Sequence, residues 1–113
     1  MIYLASPYSH SDPTVPEQRF RQVCRVASRL MREGHIVFSP IAHSHPIAMA
    51  GGLPTDWTFW KEFDRAMLGA ASELWVLRIP GWMGSRGIAS ELTIWHYRGP
   101  VKFIDPLPEE LLP

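Results

Sequence analysis

The sequence predicts an α/β protein of three layers, in which a parallel sheet of four to five strands has helices on both faces. Short apolar runs bounded by proline or turn residues alternate with longer stretches whose apolar residues recur at helical spacing. Strands that alternate with helices pair in parallel through right-handed crossovers, and helices then cover both faces. The chain has 113 residues, of which 46% are hydrophobic, so residues 1–113 are predicted to form a single domain.

Four short segments, mostly apolar, are predicted to form the strands. They comprise residues 2–5, 35–39, 74–79 and 101–104. The first is followed by a Ser-Pro break and the next two by proline, which cannot donate to a sheet. Residues 40–54 are predicted to be a long irregular stretch, with a fifth strand in the 40s as the alternative. Loops of that length tend to be functional.

Three segments have the apolar spacing of amphipathic helices. The first is predicted from Pro16, which suits a first turn, to Gly34, which suits a helix end. The second is predicted from an N-cap at Thr55 to about residue 71, and the third covers residues 87–97. The arginines of the first helix are interpreted as a solvated face rather than a phosphate site. They are Arg19, Arg21, Arg25, Arg29 and Arg32.

Two carboxylates interrupt the apolar stripes of the second and third predicted helices. Asp64 shares its stripe with Trp57 and Trp60, and Glu91 shares its stripe with Trp95. Burying an unpaired carboxylate is costly, so such a residue is normally paired or has a raised pKa suited to catalysis. Asp64 is therefore the candidate general acid, and Glu91 is the candidate nucleophile toward a sugar carbon. The alternative is that each acid forms a structural hydrogen bond or ion pair.

Three segments that follow strands are predicted to converge on one crevice, because ligands of such sheets bind beyond the carboxyl ends of the strands. They comprise residues 6–15, 40–54 and 80–86. In the last segment, glycines and the start of a helix favour an anion, with Ser85 and Arg86 as side-chain donors. The glycine spacing matches neither the dinucleotide fingerprint nor the P-loop, and a simple tight turn is the alternative.

Single side chains complete the candidate site. Tyr8 is predicted to hold the nucleophile or the sugar through its hydroxyl, and Ser6 begins the same segment. His43 is a candidate substrate contact, and Trp82 is the tryptophan expected to stack on a base or cover the site. His43 and His45 are not accompanied by a second cluster of ligands at recognisable spacing, so no metal and no other cofactor is predicted.

The composition narrows the choice of partner and compartment. Eleven basic residues balance eleven acidic ones, so no strong field attracts nucleic acid polymers or anionic membranes, and a small molecule is the expected ligand. The single cysteine, Cys24, cannot form an internal disulfide. The first strand is not preceded by a signal-type apolar core, and the apolar runs are short. The sequence therefore predicts a cytoplasmic protein.

Three segments of the chain together resemble the nucleoside 2-deoxyribosyltransferase superfamily, which includes deoxynucleoside 5'-monophosphate N-glycosidases. They are IYLASPYS, KEFDRAMLGAASELWVL and GSRGIASELTIWHYRGPVKFI. Within that superfamily, the chain resembles a small uncharacterised bacterial and phage branch, the DUF1937 family. The resemblance implies a flavodoxin-like fold and cleavage or transfer of the N-glycosidic bond of a (deoxy)nucleoside or its 5'-monophosphate through a covalent sugar ester.

By position, the resemblance implies that Glu91 is the nucleophile, Asp64 protonates the departing base, and Tyr8 is the tyrosine near the nucleophile. Ser85 and Gly87 match the loop that contacts the 5'-phosphate in the monophosphate hydrolases. The chain lacks the D-G-T turn typical of the transferases, and its serine turn is more similar to the hydrolases. A homodimer or higher oligomer is also implied, with residues from 101 onward as a candidate for reaching the neighbouring site.

Two other functions remain open at this point. The same crevice would serve a non-catalytic module that binds or senses a nucleotide. An interaction protein that uses its tail and aromatic surface is the third alternative, and it predicts a dry, apolar lining where Asp64 and Glu91 are expected to meet.

Overall fold

Four parallel strands form one sheet with the order β2-β1-β3-β4. The computed structural model describes residues 1–96 and 98–113. The strands are β1 (Ile2–Ala5), β2 (Val37–Phe38), β3 (Glu73–Leu77) and β4 (Val101–Ile104). Strand β1 pairs with β2 and β3, and β3 pairs with β4, all in parallel. The predicted fold class, a flavodoxin-like three-layer α/β sandwich, is confirmed.

Four helices connect the strands and cover the sheet. They are α1 (Thr14–Arg32), α2 (Pro40–Gly51), α3 (Trp57–Ala70) and α4 (Arg86–Trp95). Because side chains alternate along a strand, Ile2 and Leu4 of β1 pack in one core with α1, whereas Tyr3 and Ala5 pack in a second core with α3 and α4. Tyr3 thus points from the central strand toward the two helices that carry the candidate acids.

Helix α2 is the main difference from the sequence prediction, which had an irregular stretch or a fifth strand there. Ser39 caps it by accepting a hydrogen bond from the Ala42 backbone N–H at 3.1 Å, and Gly52 ends it with a φ of +66°. Pro46 lies inside the helix, where proline normally interrupts the hydrogen-bond ladder. Apolar residues also occur on its exposed side, including Ile47 and Met49, so the sequence has no clear amphipathic stripe.

The other boundaries differ by a few residues from those predicted. Helix α1 begins at Thr14 rather than Pro16, and α3 has its N-cap at Asp56 rather than Thr55. Strand β2 is shorter than residues 35–39, and β3 is shifted by one or two residues from 74–79. Helix α4 ends at Trp95, and the predicted end at Tyr97 lies outside the described residues.

The arginines of α1 are not simply a solvated face. Arg29 forms a bidentate ion pair with Glu110, whose nearer N–O distance is 2.8 Å, and Glu110 is buried. Arg25 donates to backbone carbonyls of the same terminal segment, in which Pro108–Leu111 forms a short 3-10 helix. The tail predicted as a candidate for a neighbouring subunit thus lies against α1 of its own chain. Among the described residues, none of the helices combines the length and apolar character needed to cross a membrane.

Candidate active site

A cavity of about 700 Å³ lies at the carboxyl ends of the strands, as expected for this type of sheet. Its walls come from the segment that follows β1, from α2, from the start of α3 and from the start of α4. The lining residues fall within 6–11, 40–48, 55–64 and 84–91. The three segments predicted to converge do meet here, although the middle one is a helix.

Glu91 enters the cavity from the first turns of α4. Ser85 caps that helix by accepting a hydrogen bond from the Ile88 backbone N–H at 3.2 Å, and Ile88, Glu91 and Trp95 form its buried face. Glu91 is only 4% exposed. The hydroxyl of Tyr3 donates a short hydrogen bond to Glu91 Oε2, so the central strand fixes the carboxyl of the helix above it.

Asp64 reaches the same cavity from α3. It is 7% exposed, and its Oδ1 atom has no hydrogen-bond partner among the described residues. Burial raises the pKa of Asp64 to about 7, because the charged form loses its hydration. If Asp64 had a purely structural role, a hydrogen bond or ion pair to its Oδ1 atom would be expected. The unpartnered Oδ1 atom does not fit that alternative.

Burial also raises the pKa of Glu91, to about 8, and the neighbouring charge of Asp64 acts in the same direction. The hydrogen bond from Tyr3 opposes this shift because it stabilises the carboxylate. Burial, with the charges of Glu91 and Asp64, keeps the pKa of Tyr3 far above its usual range, so Tyr3 remains a proton donor. The two acids therefore hold protons near neutral pH that ordinary carboxyls would have lost.

The raised pKa values predict a stability that falls as the pH rises. Both acids keep their protons in the folded protein up to about pH 7 to 8, whereas the unfolded chain loses them near pH 4. The free energy of unfolding is therefore expected to decrease by a few kcal/mol between about pH 5 and 8. Urea unfolding at a series of pH values would measure it. The variant with both Asp64→Asn and Glu91→Gln should lose this dependence, and equal slopes for the two proteins would contradict the prediction.

The start of α4 forms the wall next to Glu91. Ser85, Arg86 and Gly87 line the cavity, and the first N–H groups of a helix have no partner within it. A Cβ atom built on Gly87 would lie 4.0 Å from Glu91 Oε1, so this backbone approaches the carboxyl closely. An anion held at the helix start would lie beside Glu91.

Arg19 of α1 links two of the segments around the cavity. Its guanidinium donates to the carbonyls of Tyr8 at 3.3 Å and Ser9 at 2.9 Å, and to that of Pro80 at 3.5 Å. The Arg19 Nη2 atom occupies the space that a Cβ atom of Gly81 would need, and Gly81 has a φ of +95°. The positive φ therefore favours glycine at position 81, whereas the Arg19 guanidinium is the end of a flexible side chain and does not by itself require it.

Three of the predicted contact residues have other partners in the structure. The hydroxyl of Tyr8 bonds His45 rather than Glu91, although Tyr8 does line the cavity. His43 is not among the residues that line the cavity, and its ring stacks on Phe63 with centroids 4.8 Å apart. Trp82 does not line the cavity either, and its ring packs on Phe103 with centroids 5.7 Å apart. Ser6 lines the cavity as predicted, and its buried Oγ atom has no partner among the described residues.

Three residues of the site were missed by the sequence analysis. Tyr3 was counted as part of a buried strand, although the alternation of side chains along β1 places it on the face of Ala5. Ser44 was missed, and His45 was named beside His43 but not placed in the site, because α2 was not recognised as a helix. Among residues 1–96 and 98–113, no group of three or more histidine, cysteine or acidic side chains could hold a metal ion.

The fold and the cavity define a parallel α/β protein with two buried acids beside a helix N-terminus in one ligand-sized pocket. The chain belongs to the DUF1937 family, described as a domain of unknown function, whose model matches residues 1–104. No curated protein matches the chain significantly. The matched range contains every element of the sheet and all of the cavity lining.

Proposed function

We propose that this protein is a cytoplasmic, homo-oligomeric enzyme that cleaves or transfers the N-glycosidic bond of a (deoxy)nucleoside or its 5'-monophosphate. The observation that carries the proposal is the pair of buried acids, Glu91 and Asp64, which enter one cavity from two helices. The resemblance of the chain to the nucleoside 2-deoxyribosyltransferase superfamily gives those two acids distinct roles.

In the first step, an oxygen of Glu91 attacks the anomeric carbon of the sugar and forms an ester as the bond to the base breaks. The electron pair of that bond goes to the base nitrogen, which takes the proton of Asp64. In the second step, water or the nitrogen of an acceptor base displaces Glu91 from the sugar, and Asp64 takes up the released proton. Two displacements at the same carbon retain its configuration.

Tyr3 and Asp64 support these roles by their hydrogen-bonding states. The Tyr3 hydroxyl donates to Glu91 Oε2, which stabilises the carboxylate needed for attack. The desolvated Asp64, with its pKa raised to about 7, is able to hold a proton for the leaving base near neutral pH. A substrate whose anomeric carbon gains positive charge would further favour the ionised form of Glu91.

A 5'-phosphate would bind at the start of α4. Ser85, the backbone at Gly87 and the exposed guanidinium of Arg86 supply donors there, and the helix dipole favours an anion. Because Gly87 adjoins Glu91, a phosphate at this place and an anomeric carbon at Glu91 belong to one small substrate. The buried Ser6 Oγ, which has no partner among the described residues, offers one more hydrogen bond.

A non-catalytic nucleotide-binding module is the second candidate. The observation that favours it is the burial of Glu91, which raises the pKa of this carboxyl to about 8 and so leaves it protonated at neutral pH. A protonated carboxyl is a poor nucleophile but a good hydrogen-bond donor to a bound ligand.

Release of free base separates the two candidates. We expect the purified protein to liberate base from at least one member of a panel of nucleosides and 5'-monophosphates, measured by liquid chromatography. Addition of a second base distinguishes transfer, which gives a new nucleoside, from hydrolysis, which gives the free sugar. Binding of a nucleotide with no base release across the panel would refute the enzyme and favour the binding module.

A further inference from the structure

Tyr8, His45 and Glu17 form a hydrogen-bonded chain that runs from α1 to the cavity wall. The Tyr8 hydroxyl lies 2.6 Å from His45 Nδ1, and His45 Nε2 lies 2.6 Å from Glu17 Oε2. The His45 ring is buried and stacks on Phe20 with centroids 4.4 Å apart, which holds its plane. Three separate segments of the chain thus supply one connected set of polar groups, none of which takes part in the proposed bond cleavage.

Glu17 sets the direction of these hydrogen bonds. Its carboxylate also pairs with Arg21 at 3.4 Å, and a carboxylate can only accept. With His45 assigned as the tautomer that donates from Nε2 to Glu17, Nδ1 accepts the hydrogen bond of the Tyr8 hydroxyl. Burial and the charge of Glu17 raise the pKa of Tyr8, so it stays a hydroxyl. With its proton committed to His45, the Tyr8 oxygen offers only lone pairs to the cavity.

Ser44 provides a second, independent sign of a ligand at this wall. It precedes His45 on α2, lines the cavity and is buried, and its Oγ atom has no hydrogen-bond partner among the described residues. Buried hydroxyls are normally satisfied, so a polar group of the ligand is the expected partner. The wall therefore combines a fixed acceptor with an unsatisfied hydroxyl.

We propose that Tyr8 is a specificity-determining residue that selects ligands with a hydrogen-bond donor at this wall, and that Ser44 bonds an adjacent polar group. His45 and Glu17 are positioning residues that act through Tyr8. This inference rests on the proposed function, because in a nucleoside or nucleotide the donor is either a sugar hydroxyl or an exocyclic amine of the base. A ligand with only hydrogen-bond acceptors at this wall would place an acceptor against the Tyr8 oxygen. Neither atom would then receive a hydrogen bond, so such a ligand would bind more weakly.

The test is calorimetric binding to the Glu91→Gln variant, which would not consume the ligand. Deoxyadenosine 5'-monophosphate is compared with its 2',3'-dideoxy analogue and with the purine deoxyriboside 5'-monophosphate that lacks the amine. We expect one analogue to bind roughly 3- to 10-fold more weakly, which identifies the donor. The added Tyr8→Phe substitution should remove this preference while leaving the protein folded.

Two further variants test the positioning residues. Glu17→Gln replaces the carboxylate by an amide that donates or accepts, so the direction of the His45 hydrogen bonds is no longer fixed and the preference should shrink. Arg21→Gln removes only the exposed ion pair with Glu17 and should leave the preference intact. Nitrogen-15 NMR of the imidazole should show His45 protonated at Nε2 in the wild-type protein.

Equal binding of all three ligands, a preference that survives Tyr8→Phe, or a His45 protonated at Nδ1 would each overturn the proposal. Absence of binding by every nucleoside and 5'-monophosphate of the panel used for base release would refute the proposed function together with this inference. Binding without the donor preference would refute this inference alone.

Discussion

Replacing Glu91 by glutamine is expected to abolish release of free base, with a fall in kcat on the order of 10⁴-fold or more. An amide cannot form the ester with the anomeric carbon, yet it has the size of the carboxyl and can still accept from the Tyr3 hydroxyl. The loss should therefore be chemical rather than structural. Chromatographic measurement of base release at saturating substrate would determine kcat.

Glu62→Gln is the matched control for this variant. Glu62 is an exposed glutamate on α3, so the same substitution there should leave kcat unchanged. The melting temperature of the Glu91→Gln variant should be no lower than that of the wild-type protein at pH 8, since the substitution removes a desolvated charge. Retention of more than a tenth of the base release would show that Glu91 is not the nucleophile.

Replacing Asp64 by asparagine is expected to lower kcat by about 10²- to 10⁴-fold on natural nucleotides, because the leaving base would no longer receive a proton. The loss should be much smaller on an activated deoxyriboside whose leaving group departs as a stable anion. Comparing the two substrates by base or chromophore release separates acid catalysis from a general disturbance of the site.

Asp56→Asn is the corresponding control. Asp56 also lines the cavity but is exposed at the N-terminal end of α3, so its replacement should affect both substrates equally and weakly. Equal losses for the two substrates in the Asp64→Asn variant would show that Asp64 has a role other than proton donation.

The sequence was most informative for features that can be recognised within a single strand or helix. Residues 2–5 form an apolar run that ends in a Ser-Pro break, residues 101–104 follow Gly99-Pro100, and both strands were predicted with the observed bounds. Asp64 and Glu91 interrupt apolar stripes at helical spacing, and both are buried on one cavity. These predictions needed only the periodicity of a helix or a strand.

The sequence was least informative where a role depends on how two elements meet. Tyr3 acts on Glu91 only because β1 and α4 are neighbours, which no local pattern indicates. Successive residues of a helix differ by about 100°, so once α2 forms, His43 and His45 point in very different directions. His45 faces the cavity and His43 faces Phe63. Because the sequence analysis predicted a loop for this segment, it could not tell which histidine would face the cavity.

The guanidinium of Arg19 has a consequence for how a ligand would bind. Because this one side chain holds the carbonyls of Tyr8, Ser9 and Pro80, the walls that follow β1 and β3 are joined. A ligand fragment that restricts the motion of the wall after β1 would also restrict the wall after β3. A second fragment that binds the wall after β3 would then lose less conformational entropy. A phosphate and a nucleoside added separately should therefore bind cooperatively, each raising the affinity for the other.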